Sequence, residues 1–496
     1  MIKNRYIVTI DAGTTSVRTL LYDTTIDQIV NIHSARIEQF YPNSGWVEQD
    51  AEEIWKKIHS CLVKTTHGIT EEQIVGLGIT NQRETVLLWD RDTGKPFAPA
   101  ISWQDGRTKR VCDKLEKDAR TVEMIYNKTG LIPNCYFSAS KIHWLLNNCY
   151  EAKSKYKQGK LCCGTIDSYI VYKLTKGKSF ITDASNASRT MLYNISTNDW
   201  DDDLLDLFQV PRDILPKVVD STSYVGDTVV GGKRIKIGGI LGDQQYSLFG
   251  QACYDRGNAK NTYGTGSFLL VNIGYKPKFV NGTKTLTTVA WRINGKTTYA
   301  IEGSVFNAGS CITWLHENLN MISNPAQSTE VAMSVEDCGG VYFVPALSGL
   351  GAPFWDSDAR GTLTGMSLST TRGHIVRAVL EGVCYSVRAV LDKMEKDAGV
   401  RIKGLRVDGG MTRNPLVMQV QSDTLQDEVI MSKEKESTAL GAVFACGLCF
   451  GKFADFDELR ARYKIGRIYK PIMSKRDAER NYKGWLEAVD RALTKN

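Results

Sequence analysis

Residues 6–23 read YIVTIDAGTTSVRTLLYD. Apolar and polar side chains alternate on both sides of the Gly13-Thr14-Thr15-Ser16 punctuation, which is the period-two pattern of strands with one buried face. A glycine followed by hydroxyl residues marks a tight turn, so the stretch predicts a strand, a turn and a strand, with Asp11 at the end of the first. Successive amide N–H groups in such a turn, with hydroxyl donors beside them, form a nest for an anion. The pattern returns at residues 258–274, NAKNTYGTGSFLLVNIG, where Gly264-Thr265-Gly266-Ser267 separates two strands. It returns once more, without the hairpin, at residues 402–410, IKGLRVDGG, a strand running into a diglycine. Taken singly, each turn reads equally well as a plain hairpin connection. Two of them in different halves of the chain suit a cleft that grips a polyphosphate from both sides, while Gly409-Gly410 lets an adenosine approach the backbone.

Working outward, Ile54, Trp55, Ile58, Cys61 and Leu62 recur at helical spacing behind Asp50, a good N-cap. Residues 74–80, IVGLGIT, predict a strand that delivers Asn81-Gln82-Arg83-Glu84-Thr85 at its end. VLLWD at 86–90 predicts another, and helices are expected over 138–146, 164–175 and 376–394. The stretch 438–450, TALGAVFACGLCF, reads as a buried helix, so Cys446 and Cys449 are expected to pack in a core and not to work as a redox pair. The fold class is α/β, with a boundary near residues 245–255 dividing the chain into 1–249 and 250–496.

Composition narrows the function classes. A chain of 496 residues is long enough for two or three cores. Its net charge of +7 is small for that length, with 62 Lys+Arg against 55 Asp+Glu, and no block of five or six like charges gives a footprint for nucleic acid or a membrane surface. No apolar run of about 18 residues suggests membrane insertion, and Met1 to Tyr6 lacks a secretory pattern, so a cytoplasmic protein is expected. The 12 cysteines are expected as thiols, and with 6 unclustered histidines any metal should be hard and carboxylate-held, such as Mg²⁺. Neither a P-loop nor a dinucleotide fingerprint occurs; Gly231-Gly232-Lys233 runs into Arg234 and lacks the spaced first glycine.

Phosphoryl transfer to an alcohol needs a carboxylate to take the hydroxyl proton. Asp243, in Gly242-Asp243-Gln244-Gln245 after the apolar IGGIL, is the candidate base, although an Asp there also suits a turn. Arg83 and Glu84 set a donor beside an acceptor, and Trp103, Tyr136 and Phe268 offer aromatic walls. Together they suit a small polyol, whose hydroxyls need paired donors and acceptors while its carbons want apolar surface.

At these residues the chain resembles the FGGY carbohydrate kinases, and within them the glycerol-phosphorylating branch. The likeness runs through DAGTTS, WVEQD, GITNQRET, ISWQD, GTIDSYIVYKLT, TDASNASRTMLYNI, GDQQYSLFGQ, KNTYGTGSF, EGSVF, FVPALSGLGAPFWD, RAVLEG, VDGG and ALGA, in the family's order. It implies two actin-like, ribonuclease-H-like domains flanking a catalytic cleft, the first binding mainly the acceptor and the second mainly ATP. It implies that glycerol meets Arg83, Glu84, Trp103, Tyr136, Asp243, Gln244 and Phe268, with Asp243 as general base and sn-glycerol 3-phosphate as product. The nucleotide would meet Thr14, Thr15, Ser16 and Arg18 on one side and Thr265, Gly266, Gly309, Thr313, Gly410 and Asn414 on the other. Asp11 and Asp243 would hold or orient Mg²⁺, and the protein would be a homodimer, with a tetramer as the larger form. Departures from the family pattern are Ala12 and Thr313, where glutamine is usual, and Gly106, where an arginine usually precedes Arg107. The segment 228–239, TVVGGKRIKIGG, is shorter than the loop that binds a sugar bisphosphate inhibitor in some relatives, which argues against that regulation.

Overall fold

The computed structural model describes residues 3–280, 285–356 and 358–494. The opening hairpin forms as read. Tyr6–Ala12 pairs antiparallel with Ser16–Asp23, which pairs in turn with Gln28–Arg36. On its other side Tyr6–Ala12 runs parallel to Ile74–Asn81, followed by Lys233–Gly242 parallel and Tyr224–Val230 antiparallel at the edge. The helix Ala51–Thr65 packs on this sheet, its first turn capped by the Asp50 carboxylate accepting from the Glu52 and Glu53 amides.

The second sheet repeats the plan. Ala259–Tyr263 pairs antiparallel with Ser267–Gly274, which is followed by Lys296–Val305 and Leu286–Ile293. On the other side lie Leu405–Asp408 and Val429–Ser432, both parallel, and then Ile465–Tyr469 antiparallel. Strand for strand the two sheets correspond, and the second adds one strand at the meander end. The two Gly-Thr turns therefore occupy the same station in each sheet. Asn81-Gln82-Arg83-Glu84 and the Asp408-Gly409-Gly410 step likewise follow equivalent parallel strands. These are two α/β units with mixed sheets facing a cleft.

Two helices tie the units together. Asp243–Gly250 starts at the tip of the first sheet and sends Ser247 to Asp408 of the second, Oγ to Oδ2, at 2.8 Å. Ser437–Cys449, the expected apolar helix, lies against that helix and also against the first sheet. Its approach accounts for the glycines in IVGLGIT and IGGIL. A Cβ on Gly78 would stand 2.7 Å from the Ala442 carbonyl oxygen, and one on Gly239 would stand 2.6 Å from the Cys446 amide nitrogen. A helix this near a sheet needs bare backbone beneath it. All 12 cysteines are free thiols. Burial pushes Cys446 well above the ordinary range and Cys449 up to about 12, so neither offers a thiolate at neutral pH. The Gly231-Gly232 hairpin turn carries Lys233 and Arg234 on the surface, where Arg234 pairs with Asp227. No helix among the described residues is long and apolar enough to cross a membrane.

Candidate active site

The turn after Tyr6–Ala12 is closed by the Gly13 amide donating to the Ser16 carbonyl at 3.0 Å. Gln49 Nε2 holds the Thr14 carbonyl at 2.7 Å, and Trp103 Nε1 donates to Thr14 Oγ1 at 3.0 Å. The facing turn is closed by the Gly264 amide on the Gly266 carbonyl at 2.8 Å. The helix Gly309–Thr313 is set against it by the Gly309 amide on the Gly264 carbonyl, 3.0 Å, and the Ser310 amide on the Thr265 carbonyl, 3.1 Å. A Cβ on Gly309 would stand 2.5 Å from the Gly264 oxygen, so glycine alone permits that approach.

Two cavities meet at Thr265. One, of about 660 Å³, is lined by Gly13, Thr14, Thr15, Ser16 and Arg18 from the first turn and by Thr265, Gly266 and Phe268 from the second, with Trp103, Tyr136 and Glu302. The other, of about 900 Å³, is lined by Gly264, Thr265, Gly309, Thr313, Gly410 and Asn414, with apolar cover from Ile312, Trp314, Pro325 and Ala326. The expected nucleotide contacts thus divide between an anion-suited cavity and a neighbouring pocket with apolar cover, of a size for a nucleoside. Thr313 lines the larger pocket, Ala12 is buried at its strand end, and the Gly106 amide donates to the Gly45 carbonyl at 2.8 Å. Asp408, whose Oδ2 accepts from Ser247 and Ser437, braces the helices, while Gly410 is the member of that motif open to the cavity.

Arg83 and Glu84, past the end of Ile74–Asn81, are almost wholly buried. Arg83 Nη2 lies 3.4 Å from Tyr136 Oη and its Nε 3.4 Å from Asp243 Oδ1. The Trp103 and Tyr136 rings meet edge to face at 5.6 Å, forming one corner. Lys141, buried in the helix Ser138–Asn148, fixes that corner by donating to the Tyr136 carbonyl at 3.0 Å and the Trp103 carbonyl at 3.4 Å. Asp243 is the first residue of its helix; its Oδ1 accepts from the Gln244 amide at 2.7 Å, and about 30% of its side chain reaches the cleft. Burial raises its carboxyl above the ordinary range against the opposing pull of Arg83 and Lys260.

Asp11 is buried, with its Oδ2 3.0 Å from Arg18 Nη2. Arg18 also reaches Glu436 at 2.6 Å, so it bridges the halves. Burial lifts Asp11 to about 6 against Arg18, and Asp243 and Glu436 add to the rise. A buried carboxylate raised in part by a second one is short of positive charge, which is the donor chemistry a hard divalent cation satisfies. Among the described residues no cluster of three or more His, Cys, Asp or Glu could hold a metal. Water and phosphate oxygens would therefore complete the coordination, as Mg²⁺ favours.

Three residues here carry charge that reading the motifs left without a role. Glu302 binds Arg83, Nη1 to Oε2, at 2.5 Å, and Arg189, Nη2 to Oε1, at 2.8 Å. Lys260 is fully buried and donates to Gln244 Oε1 at 2.5 Å and Thr262 Oγ1 at 2.8 Å. Burial draws its ammonium down to about 8 although Asp408 and Asp243 face it. The available signal was a lone charge inside strand-forming runs, TTYAIEGSV for Glu302 and AKNTY for Lys260.

Comparison with known proteins agrees with this geometry. Residues 6–250 match the N-terminal domain model of the FGGY family of carbohydrate kinases, and 259–449 match its C-terminal domain model. The chain is 46% identical over 493 residues to a glycerol kinase of Carboxydothermus hydrogenoformans, covering 98% of both. It is 45% identical to glycerol kinase 2 of Thermotoga maritima, covering 99% of both. The crystal structure of Plasmodium falciparum glycerol kinase with ADP superposes with a TM-score of 0.92 at 36% identity, covering 99% of each chain.

Proposed function

The chain belongs to the FGGY family of carbohydrate kinases, and on that premise we propose that it transfers the terminal phosphoryl group of ATP to glycerol, giving sn-glycerol 3-phosphate. The observation that carries this reading is the meeting, at one cavity, of both Gly-Thr turns with the Trp103–Tyr136 corner, whose Tyr136 hydroxyl is reached by Arg83, the neighbour of the partly exposed Asp243 carboxylate.

In this reading Arg83 donates to one acceptor hydroxyl and Glu84 accepts from another, Gln244 adds an amide, and the carbon chain lies against Trp103, Tyr136 and Phe268. Asp243 takes the proton of the attacking hydroxyl as its oxygen bonds to phosphorus. Such a base contributes about 10²–10⁴ to the rate. The turns 13–16 and 264–266 orient the phosphates with main-chain amides and threonine hydroxyls, and Gly309, Gly410 and Asn414 hold the nucleoside end. Asp11 and Asp243 would hold Mg²⁺, which when bound neutralises phosphate charge and fixes the phosphoryl group for in-line attack.

An acceptor panel tests the reading. Glycerol should be the best acceptor at saturating ATP, well ahead of erythritol and xylulose, because specificity rests on a few polar groups that a mismatched polyol leaves unpaired. Xylulose or erythritol turnover without glycerol turnover would overturn it, and polyol-independent ATP hydrolysis would favour an actin-like binding module.

A pH profile adds a second check. Burial raises the Asp243 carboxyl, so the base is lost on acidification earlier than an ordinary carboxylate would be. The acid limb of kcat/KM for glycerol should lie above the usual carboxylate range. Lys260→Met removes a cation that favours the ionised form and should move the limb higher still; a limb left in place would contradict the electrostatic link. The same reading carries a cytoplasmic homodimer, whose mass sedimentation would read.

A further inference from the structure

Arg83 and Glu84 do not stand alone at the acceptor corner. Glu302, on the strand Lys296–Val305 of the second sheet, faces Arg83 with both oxygens, Oε2 2.5 Å from Nη1 and Oε1 3.3 Å from Nη2. Arg189 gives Nη2 to that same Oε1 at 2.8 Å and Nε to Glu84 Oε1 at 2.7 Å. Arg83 Nε, 3.9 Å from Glu84 Oε2, closes a ring of four alternating charges, none with a side chain more than 3% exposed. We propose that Glu302 and Arg189 are positioning residues for the acceptor: they set the orientation of Arg83 and Glu84, so that the acceptor site of the first unit is completed by a strand of the second.

This extension rests on the assignment of Arg83 and Glu84 to the acceptor. Stability alone is a poor reason for such a ring, since a buried ion-pair cluster is often replaceable by well-packed apolar side chains at no loss. What forked guanidinium pairs supply is orientation. Glu84 needs it, because its φ of +62° is a backbone conformation that non-glycine residues rarely hold unless their surroundings enforce it. The enforcing contacts are Arg189 on the side chain and Ser138 Oγ, which donates to the Glu84 carbonyl at 2.8 Å. The Arg189 guanidinium also lies 5.7 Å from the Tyr136 ring centre and 5.2 Å from that of Phe137, so the same residue steadies the aromatic wall. Glu302 itself lines the cavity into which Tyr136 and Phe268 project. A residue 219 positions from Arg83 in the chain thereby makes acceptor binding depend on how the two units are docked.

The test is steady-state kinetics of the full-length enzyme with glycerol and ATP varied separately. Wild-type turnover of glycerol is measured first and decides the parent reading by itself; the variants are then read only as ratios to it. Glu302→Gln keeps the shape and removes the charge. It should raise the glycerol KM by about 10-fold or more, the size expected for losing a charged hydrogen bond, while the ATP KM stays within about threefold. Glu302→Asp should recover part of the loss. If Glu302→Gln fails to fold, the double variant R189M/E302Q removes one charge of each sign and carries the same readout. Glycerol and ATP KM values that rise together, or a folded variant with unchanged glycerol KM, would overturn the proposal.

Discussion

Asp243→Asn should lower glycerol phosphorylation by about 10²-fold or more while leaving ATP affinity close to that of the unaltered enzyme. The substitution is nearly isosteric, and its surroundings do not depend on the charge for shape. Oδ1 accepts from the Gln244 amide, an interaction that an asparagine oxygen keeps. The partly exposed carboxylate loses its capacity to take a proton and its charge toward Mg²⁺, both of which bear on the transfer step and not on the nucleoside end. The cavity of about 900 Å³ is lined from Gly264, Gly309, Thr313, Gly410 and Asn414, and Asp243 is not part of its lining. Nucleotide binding, followed by fluorescence titration or calorimetry, should therefore change little while kcat collapses. A matching loss of ATP affinity would count against Asp243 as base and would place it in nucleotide binding instead.

Arg83→Met should do more damage to the molecule as a whole. Arg83 holds Glu302 through two nitrogens and faces Glu84 and Asp243. Burial works against its charge, but Glu302 and Glu84 hold the guanidinium firmly protonated. Burial likewise pushes the Glu302 carboxyl up, and Arg189 with Arg83 overcomes this and draws it down to about 2. Removing one partner strands a buried carboxylate, and breaking such a pair costs about 3–5 kcal/mol. Denaturant unfolding should show a loss of that order, and the glycerol KM should rise by about 10- to 100-fold from the missing charged donor. Little change in either would mean that the ring neither carries stability nor holds the acceptor.

Much of the site could be read before the fold was known, because its parts are local. A Gly-Thr turn between alternating strands declares itself over a dozen residues, Asp50 declares a helix start, and Arg83-Glu84 arrive together at a strand end. Each of these rests on backbone preference or on spacing within one element, so the neighbours that decide it are close in the chain. The matching order of strands in the two sheets was only half visible. The hairpins announced it, but the parallel strands on their far side are joined to them by long connections whose pairing leaves no short-range mark.

What the chain by itself determined was the kind of chemistry: two anion nests, a candidate base, a donor beside an acceptor, aromatic walls and no other ligand set. Only the tertiary structure decided which charges stand beside those groups. Glu302 binds Arg83 across 219 residues, Lys260 meets Gln244 across 16 residues and between the two units, and Arg189 meets Glu84 across 105 residues. The glycines of IVGLGIT and IGGIL had no visible reason until the helix Ser437–Cys449 lay over them. A turn is specified by the torsion preferences of its own residues, whereas a buried charge is specified by whichever opposite charge folding carries to it. The second kind of information exists only once the two sheets face one another.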